Sequence, residues 1–181
     1  MVRRIITIDG VDEKSYALAD EHLQSPLLDL ARPGFFRQKI WMTDSSPARI
    51  NDMSWVDSAP ELLEPLEGGS LFHIYQFPPD SNWEGNIDSR KVAEYFKSIN
   101  AEHLIERSKG VHPYMQKTDT LDLCVILQGE ITLILDTAEV DLREGDSVVQ
   151  RATRHAWSNR SLHHCTIAIS SHCAKPDSSQ S

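Results

Sequence analysis

From residue 121 to residue 170 the chain repeats one unit: an apolar, β-branched run of four to eight residues closed by a turn. LDLCVILQ stops at Gly129-Glu130, and ITLILD and AEVDL follow. REGD turns the chain into SVVQ, and a loop at 151–154 leads to HAWSN and then CTIAIS. These runs have the length of strands and fall short of ordinary helices. Many short strands with turn residues between them predict an antiparallel sandwich or barrel, so the fold class is all-β.

The half before residue 112 is more varied. RRIITI, closed by Asp9-Gly10, reads as a first strand. YALADEHLQSPLLDLA leaves room for a helical turn, which Pro26 interrupts. FFRQKIWMTD predicts a strand with Phe36, Ile40 and Trp41 in the core. Residues 45–70 are rich in Pro, Asp and Glu, the composition of a loop that either covers something or stays unstructured. SLFHIYQF is a strand stopped by Pro78-Pro79. NIDSRKVAEYFKSIN is the one convincing helix, expected over 88–99 and outside the barrel. Val92, Tyr95, Phe96 and Ile99 recur there at helical spacing, and Asp88 can cap the start. The expected organisation is an N-terminal extension over 1–111 that lends strands to the barrel, a barrel core over 112–172, and a flexible tail over 173–181.

Length and charge narrow the function. A chain of 181 residues makes one domain with a real core. With 27 acidic against 18 basic residues its formal charge is -9, and no Lys/Arg cluster offers a nucleic-acid surface. Three cysteines without a CxxC pair speak against a disulfide scaffold. The apolar run 5–8 is too short for a secretory signal, and no stretch has the length of a membrane span. These features make cytoplasmic the expected location, with a small molecule as partner, neither nucleic acid nor membrane, and a homodimer left open.

The stretch HPYMQKTDTLDLCVILQGE, residues 112–130, and the phrase GDSVVQRATRHAWSN, residues 145–159, resemble the two motifs of the cupins, the small double-stranded β-barrels. Counting back from Gly129 places Asp122, Thr118 and Gln116 where that family carries Glu and two metal-binding histidines. In the second motif Gly145, His155 and Asn159 stand in their places. The wording is also similar to a narrower group of fungal cupin-domain proteins, labelled oxidoreductases, from polyketide and salicylaldehyde-type pathways. Met115, Thr118, Thr120, Asp122, Val148, Val149, Gln150, Arg151, His155, Ala156, Trp157 and Asn159 carry that likeness.

In a strand, residues two apart share a face, so an extended segment would align His112, Tyr114, Gln116 and Thr118. The resemblance turns that face into the barrel interior, with Asp122 beginning the next strand and His155, Trp157 and Asn159 on a later one. The candidate catalytic pair is His155 with Asp122. Tyr114, Gln116, Thr118, Gln150, Trp157 and Asn159 are the candidate substrate contacts. The competing role for His155 is a buried imidazole bonded to a backbone carbonyl, holding the loop at 151–154. With Gln116 and Thr118 replacing the histidines, no tightly bound metal is expected. The alternative is a divalent metal on His112, Asp122 and His155. No glycine-rich nucleotide motif follows a strand.

The expected function is a tailoring enzyme acting on a polyketide-like carbonyl compound. It would remove a proton next to the carbonyl, driving dehydration or aromatisation, with Gln116, Thr118 and Tyr114 as donors to the enolate. A redox step on such a compound, a metal-dependent oxygenase or isomerase, and a non-catalytic ligand-binding cupin are the alternatives.

Overall fold

The structure, a computed structural model, describes residues 2–50, 56–105 and 112–175. Residues 176–181, most of the expected tail, lie outside the described residues. Eleven strands are described: β1 (Arg3–Asp9), β2 (Ser15–His22), β3 (Leu27–Leu28), β4 (Phe36–Thr43), β5 (Ser70–Phe77), β6 (Thr120–Gln128), β7 (Glu130–Leu135), β8 (Glu139–Arg143), β9 (Ser147–Arg151), β10 (His155–Ser158) and β11 (Cys165–Cys173). The helices are α1 (Ser89–Ser98) and α2 (Glu102–Ile105), with two 3-10 turns at Asp80–Asn82 and Glu84–Asn86. Among the described residues no helix is long and apolar enough to cross a membrane.

Six strands form one antiparallel sheet in the order β3-β4-β5-β11-β6-β9, and three form a second in the order β10-β7-β8. Their inner faces share one core, in which Cys124, Ile126, Ile167 and Ile169 of the large sheet meet Ile131, Leu133, Leu142 and Trp157 of the small one. Two antiparallel sheets packed over a common interior make the jelly-roll-like barrel expected from the sequence. Gly129, between β6 and β7, has φ 80 and a backbone so close to its neighbours that a Cβ would lie 2.8 Å from the His164 carbonyl oxygen. Only glycine meets both conditions there.

The N-terminal elements depart from the sequence reading in three places. Residues 15–22 are strand, not helical turn: they pair with β1, aided by Arg3–Asp20 and Arg4–Glu21 ion pairs. This hairpin pairs only with itself, whereas β3, β4 and β5 join the large sheet. In β4, Phe36, Ile40 and Trp41 are only partly buried. Arg37, Gln38 and Met42 are its buried residues instead, with Phe35 buried just before the strand, and a register shift between Lys39 and Trp41 breaks the alternation. Fully buried Arg37 donates from Nη2 to Glu61 (2.9 Å) and to the Leu62 carbonyl (2.6 Å), while its Nε and Nη1 have no partner among the described residues.

Helix α1 begins where expected, with the Asp88 side chain accepting from the Arg90 amide at 2.9 Å. It does not merely flank the barrel. Tyr95 and Phe96 enter the main core, and each such burial contributes about 1.5–3 kcal/mol. The segment 56–69 covers the same region, tied down by a hydrogen bond from the Leu63 amide to the Ile99 carbonyl.

Candidate active site

Register builds the floor of the site. On β6, buried Thr120, Asp122, Cys124 and Ile126 point inward, alternating with outward Leu123 and Val125. Asp122 sits opposite Gln150 of β9 on one side and Ser171 of β11 on the other, so one row across the sheet is polar inside an apolar barrel. From the small sheet, His155 and Trp157 project into the same space, while Ala156 packs on the opposite face with Met115 and Ile134. The cavity, partly open to the surface, measures ≈ 50 Å³. That is several times the roughly 10–15 Å³ a single water requires.

His155 is fixed at three points. Its backbone makes a reciprocal pair of 2.9 Å hydrogen bonds with Gln116. Its Nδ1 lies 2.9 Å from the Thr153 carbonyl, which can only accept, so Nδ1 carries the proton. Nε2 therefore presents a lone pair, 3.4 Å from the Gln116 amide nitrogen. Burial lowers the pKa of this imidazole, against the opposing pull of the Thr153 carbonyl and the Asp122 charge. The loop-holding role and the cavity-facing role thus belong to different nitrogens of one ring.

Two buried polar atoms in the cavity wall have no hydrogen-bond partner among the described residues: Asp122 Oδ1 and Gln150 Nε2. An unsatisfied buried polar atom costs about 1–3 kcal/mol, and since five others lie on residues outside the cavity wall, it is their place beside His155 that singles these two out. Of the three donors expected for an enolate, Tyr114 is committed, and Thr118 and Gln116 each have a neighbour within hydrogen-bond reach. Tyr114 Oη donates to Asp29 at 2.6 Å, the Thr118 and Thr120 hydroxyls lie 2.6 Å apart, and Gln116 faces His155. The uncommitted donor amide of the polar row is therefore Gln150.

The structure brings together His155, Asp122, Tyr114, Gln116, Thr118, Gln150 and Trp157 around the cavity. It separates Asn159 and His112 from them. Asn159 is a fully buried staple: Nδ2 donates to the Phe77 and His163 carbonyls, and Oδ1 accepts from the amide and hydroxyl of Ser161. Residues 112–115 are a turn rather than extended chain, closed by the Met115 amide on the His112 carbonyl at 3.0 Å. His112 packs against Trp83 and Tyr114 instead of joining the cavity wall. The set His112, Asp122 and His155 is thereby broken, and among the described residues no three His, Cys, Asp or Glu side chains come together to hold a metal. Asp122, His155 and neutral amides are a poor donor set for a tightly held transition metal.

Several wall residues escaped the sequence reading: Arg32, Phe35, Phe77 and Tyr95. Their common origin is the 29–35 loop and the elements that pack on it. Buried Asp29 and Arg32 pair at 2.7 Å, and the Arg32 guanidinium lies 3.5 Å from the Tyr114 ring and 3.9 Å from the Phe35 ring. The available signal was an acidic and a basic residue three apart inside LLDLARPGFF, an otherwise apolar stretch. Cys124 is a core residue, its thiol pushed up to about 12 by burial.

No protein-family model matches the chain. Among characterised proteins it is similar to a cupin-domain-containing oxidoreductase of Neurospora crassa, 36% identical over 95 residues, covering 49% of this chain and 47% of that protein. A cupin-domain-containing oxidoreductase of Hypocrea virens is 39% identical over 95 residues, 49% of this chain and 48% of that protein. Phomopsin biosynthesis cluster protein D of Diaporthe leptostromiformis is 42% identical over 59 residues, 32% of this chain and 31% of that protein. The chain thus spans half or less of these relatives. Solved structures are more distant. The Schizosaccharomyces pombe Cnp3 cupin domain gives a TM-score of 0.45 at 7% identity over 94% of this chain and 87% of that one. KdgF from Halomonas sp. gives 0.42 at 12% over 81% and 84%. In the half of its sequence that these relatives cover, the chain resembles the cupin-domain-containing oxidoreductases of fungal biosynthesis clusters.

Proposed function

We propose that the protein is a tailoring enzyme in which His155 takes a proton from the carbon beside a substrate carbonyl. The observation that carries this reading is the pairing, in one cavity, of an imidazole whose lone pair is forced inward with a buried carboxylate oxygen that has no partner. A neutral imidazole can accept the proton at physiological pH. As it becomes imidazolium, the Asp122 charge favours it. The electron pair left on carbon moves onto the carbonyl oxygen, where the free Gln150 amide donates to the developing enolate. Return of the proton from His155 to a β-hydroxyl releases water and leaves a conjugated carbonyl, with no change in overall oxidation state. Trp157 and the other aromatic walls shape the space for a flat substrate.

The names of the relatives support a tailoring role in biosynthesis, and the label oxidoreductase raises a redox step on the same kind of compound as the competing chemistry. Product masses separate the two. Dehydration removes one water, whereas a redox step changes the hydrogen count by two. In the test, His155→Ala and Asp122→Asn are assayed against a panel of β-hydroxy-carbonyl compounds beside thermal melting of the same preparations. The rate should fall about a hundred- to ten-thousand-fold for His155→Ala with melting little changed. Full activity in a folded His155→Ala protein would refute the mechanism.

A further inference from the structure

The cavity holds a cation that the proton-transfer scheme does not use. Arg32 is 4% exposed and belongs to the cavity wall. It spends one donor, Nε, on Asp29 Oδ2 at 2.7 Å. Asp29 is otherwise saturated from the same loop, with Oδ1 accepting from the Ala31 amide at 2.8 Å and Oδ2 from the Tyr114 hydroxyl at 2.6 Å. The guanidinium faces are occupied by the Tyr114 and Phe35 rings, so the group can neither tilt nor withdraw without losing both stacks. What remains are the two terminal nitrogens, and neither donates to any described residue. Fastening the 29–35 loop needs the Nε bond and the stacking alone. A stacked guanidinium with its fork uncommitted is preorganised for a planar two-oxygen anion.

We propose that Arg32 anchors a carboxylate, or an equivalent ionised enol, on a flat, conjugated substrate. This rests on the cavity being the substrate site, and it names the class that site accepts: acids rather than neutral carbonyl compounds. Phe35, Tyr75, Phe77, Tyr95, Tyr114 and Trp157 line the space beside it, an aromatic wall suited to a ring. An incoming anion would meet N–H donors held in place by the Asp29 bond and the two rings, and charge-assisted bonds of that kind are stronger than neutral ones.

The test compares benzoate with its neutral isostere benzamide by isothermal titration on the full chain. Benzoate should bind about ten- to a hundredfold tighter than benzamide, the worth of a charge-assisted bond. Arg32→Lys keeps the charge but loses the planar fork, and should lose most of the preference. The double variant Asp29→Asn/Arg32→Met removes both charges together, leaving no lone buried ion, and should bind the two probes alike. Equal binding of both probes by the unaltered protein, no detectable benzoate binding, or a preference surviving in the double variant would each overturn the proposal. His155→Ala must keep the benzoate preference. If that variant keeps the preference but also keeps full turnover, proton transfer by His155 fails and the anion anchor stands. If turnover is lost while the unaltered protein shows no preference, the anchor fails alone.

Discussion

Acidification should unfold this protein through its buried histidines, and His112 allows the effect to be sized. Its Nδ1 accepts a hydrogen bond from the Tyr114 amide at 3.2 Å, so the proton of the neutral ring is on Nε2, a buried atom without a partner. Protonating Nδ1 would break that bond and place a charge beside Trp83 and Arg32. Burial and the Arg32 and Arg160 charges accordingly lower its pKa from 6.5 to about 4. A histidine depressed on folding binds fewer protons in the native than in the unfolded chain between those two values. Stability is therefore complete above the unfolded value and is lost as pH falls from there toward about 4. Integrating that difference from about pH 7.5 to about pH 5 gives a loss of about 2 kcal/mol from this one residue. His73 and His155, also lowered by burial, act in the same direction. The assay is urea unfolding followed by tryptophan fluorescence at both pH values, on the unaltered protein and on His112→Phe. The variant keeps the ring contacts, gives up the Tyr114 amide bond at a cost of about 1 kcal/mol at neutral pH, and should lose about 2 kcal/mol less on acidification. Equal acid sensitivity in both proteins would refute the reasoning.

Other perturbations separate architecture from chemistry. Asp29→Asn strips the counter-charge from buried Arg32 and should cost about 3–5 kcal/mol by chemical denaturation, at the level of a broken buried ion pair. Gly129→Ala forces a Cβ against the His164 carbonyl at positive φ and should cost about 1–3 kcal/mol by the same measurement. Phe96→Ala should cost about 3–5 kcal/mol, because α1 loses a fully buried ring. Gln150→Leu should change the melting temperature little, since the amide nitrogen it removes has no partner. Its rate should nonetheless fall about a hundred- to a thousandfold if that nitrogen serves the enolate.

The barrel strands were legible because β6 to β11 are separated by turn residues the backbone requires, such as Gly129, and α1 was legible from its cap and apolar spacing. β2 was not: seven of its eight residues are exposed and leave no apolar periodicity to read, and among the described strands it pairs only with β1. In β4 the register shift turned a correct strand into a wrong core, a change that alternation alone cannot reveal. The site shows the same division. Asp122, Gln150 and His155 followed from motif position and strand parity. His112 did not, although Pro113 stands at the second position of the turn, where proline favours a turn over an extended segment. Arg32 and Asp29 were not singled out, because only tertiary packing shows that Phe35 of the same loop, Tyr95 of α1 and Tyr114 close around the guanidinium.

The most direct test of proton transfer by His155 is exchange at the substrate carbon itself. A β-hydroxy-carbonyl compound that the protein turns over is incubated in deuterium oxide, and its α-proton signal is followed by nuclear magnetic resonance before product accumulates. The unaltered protein should replace that proton with deuterium. Folded His155→Ala should leave it in place, and Asp122→Asn should slow its loss. Exchange at an undiminished rate in the His155→Ala protein would contradict the account.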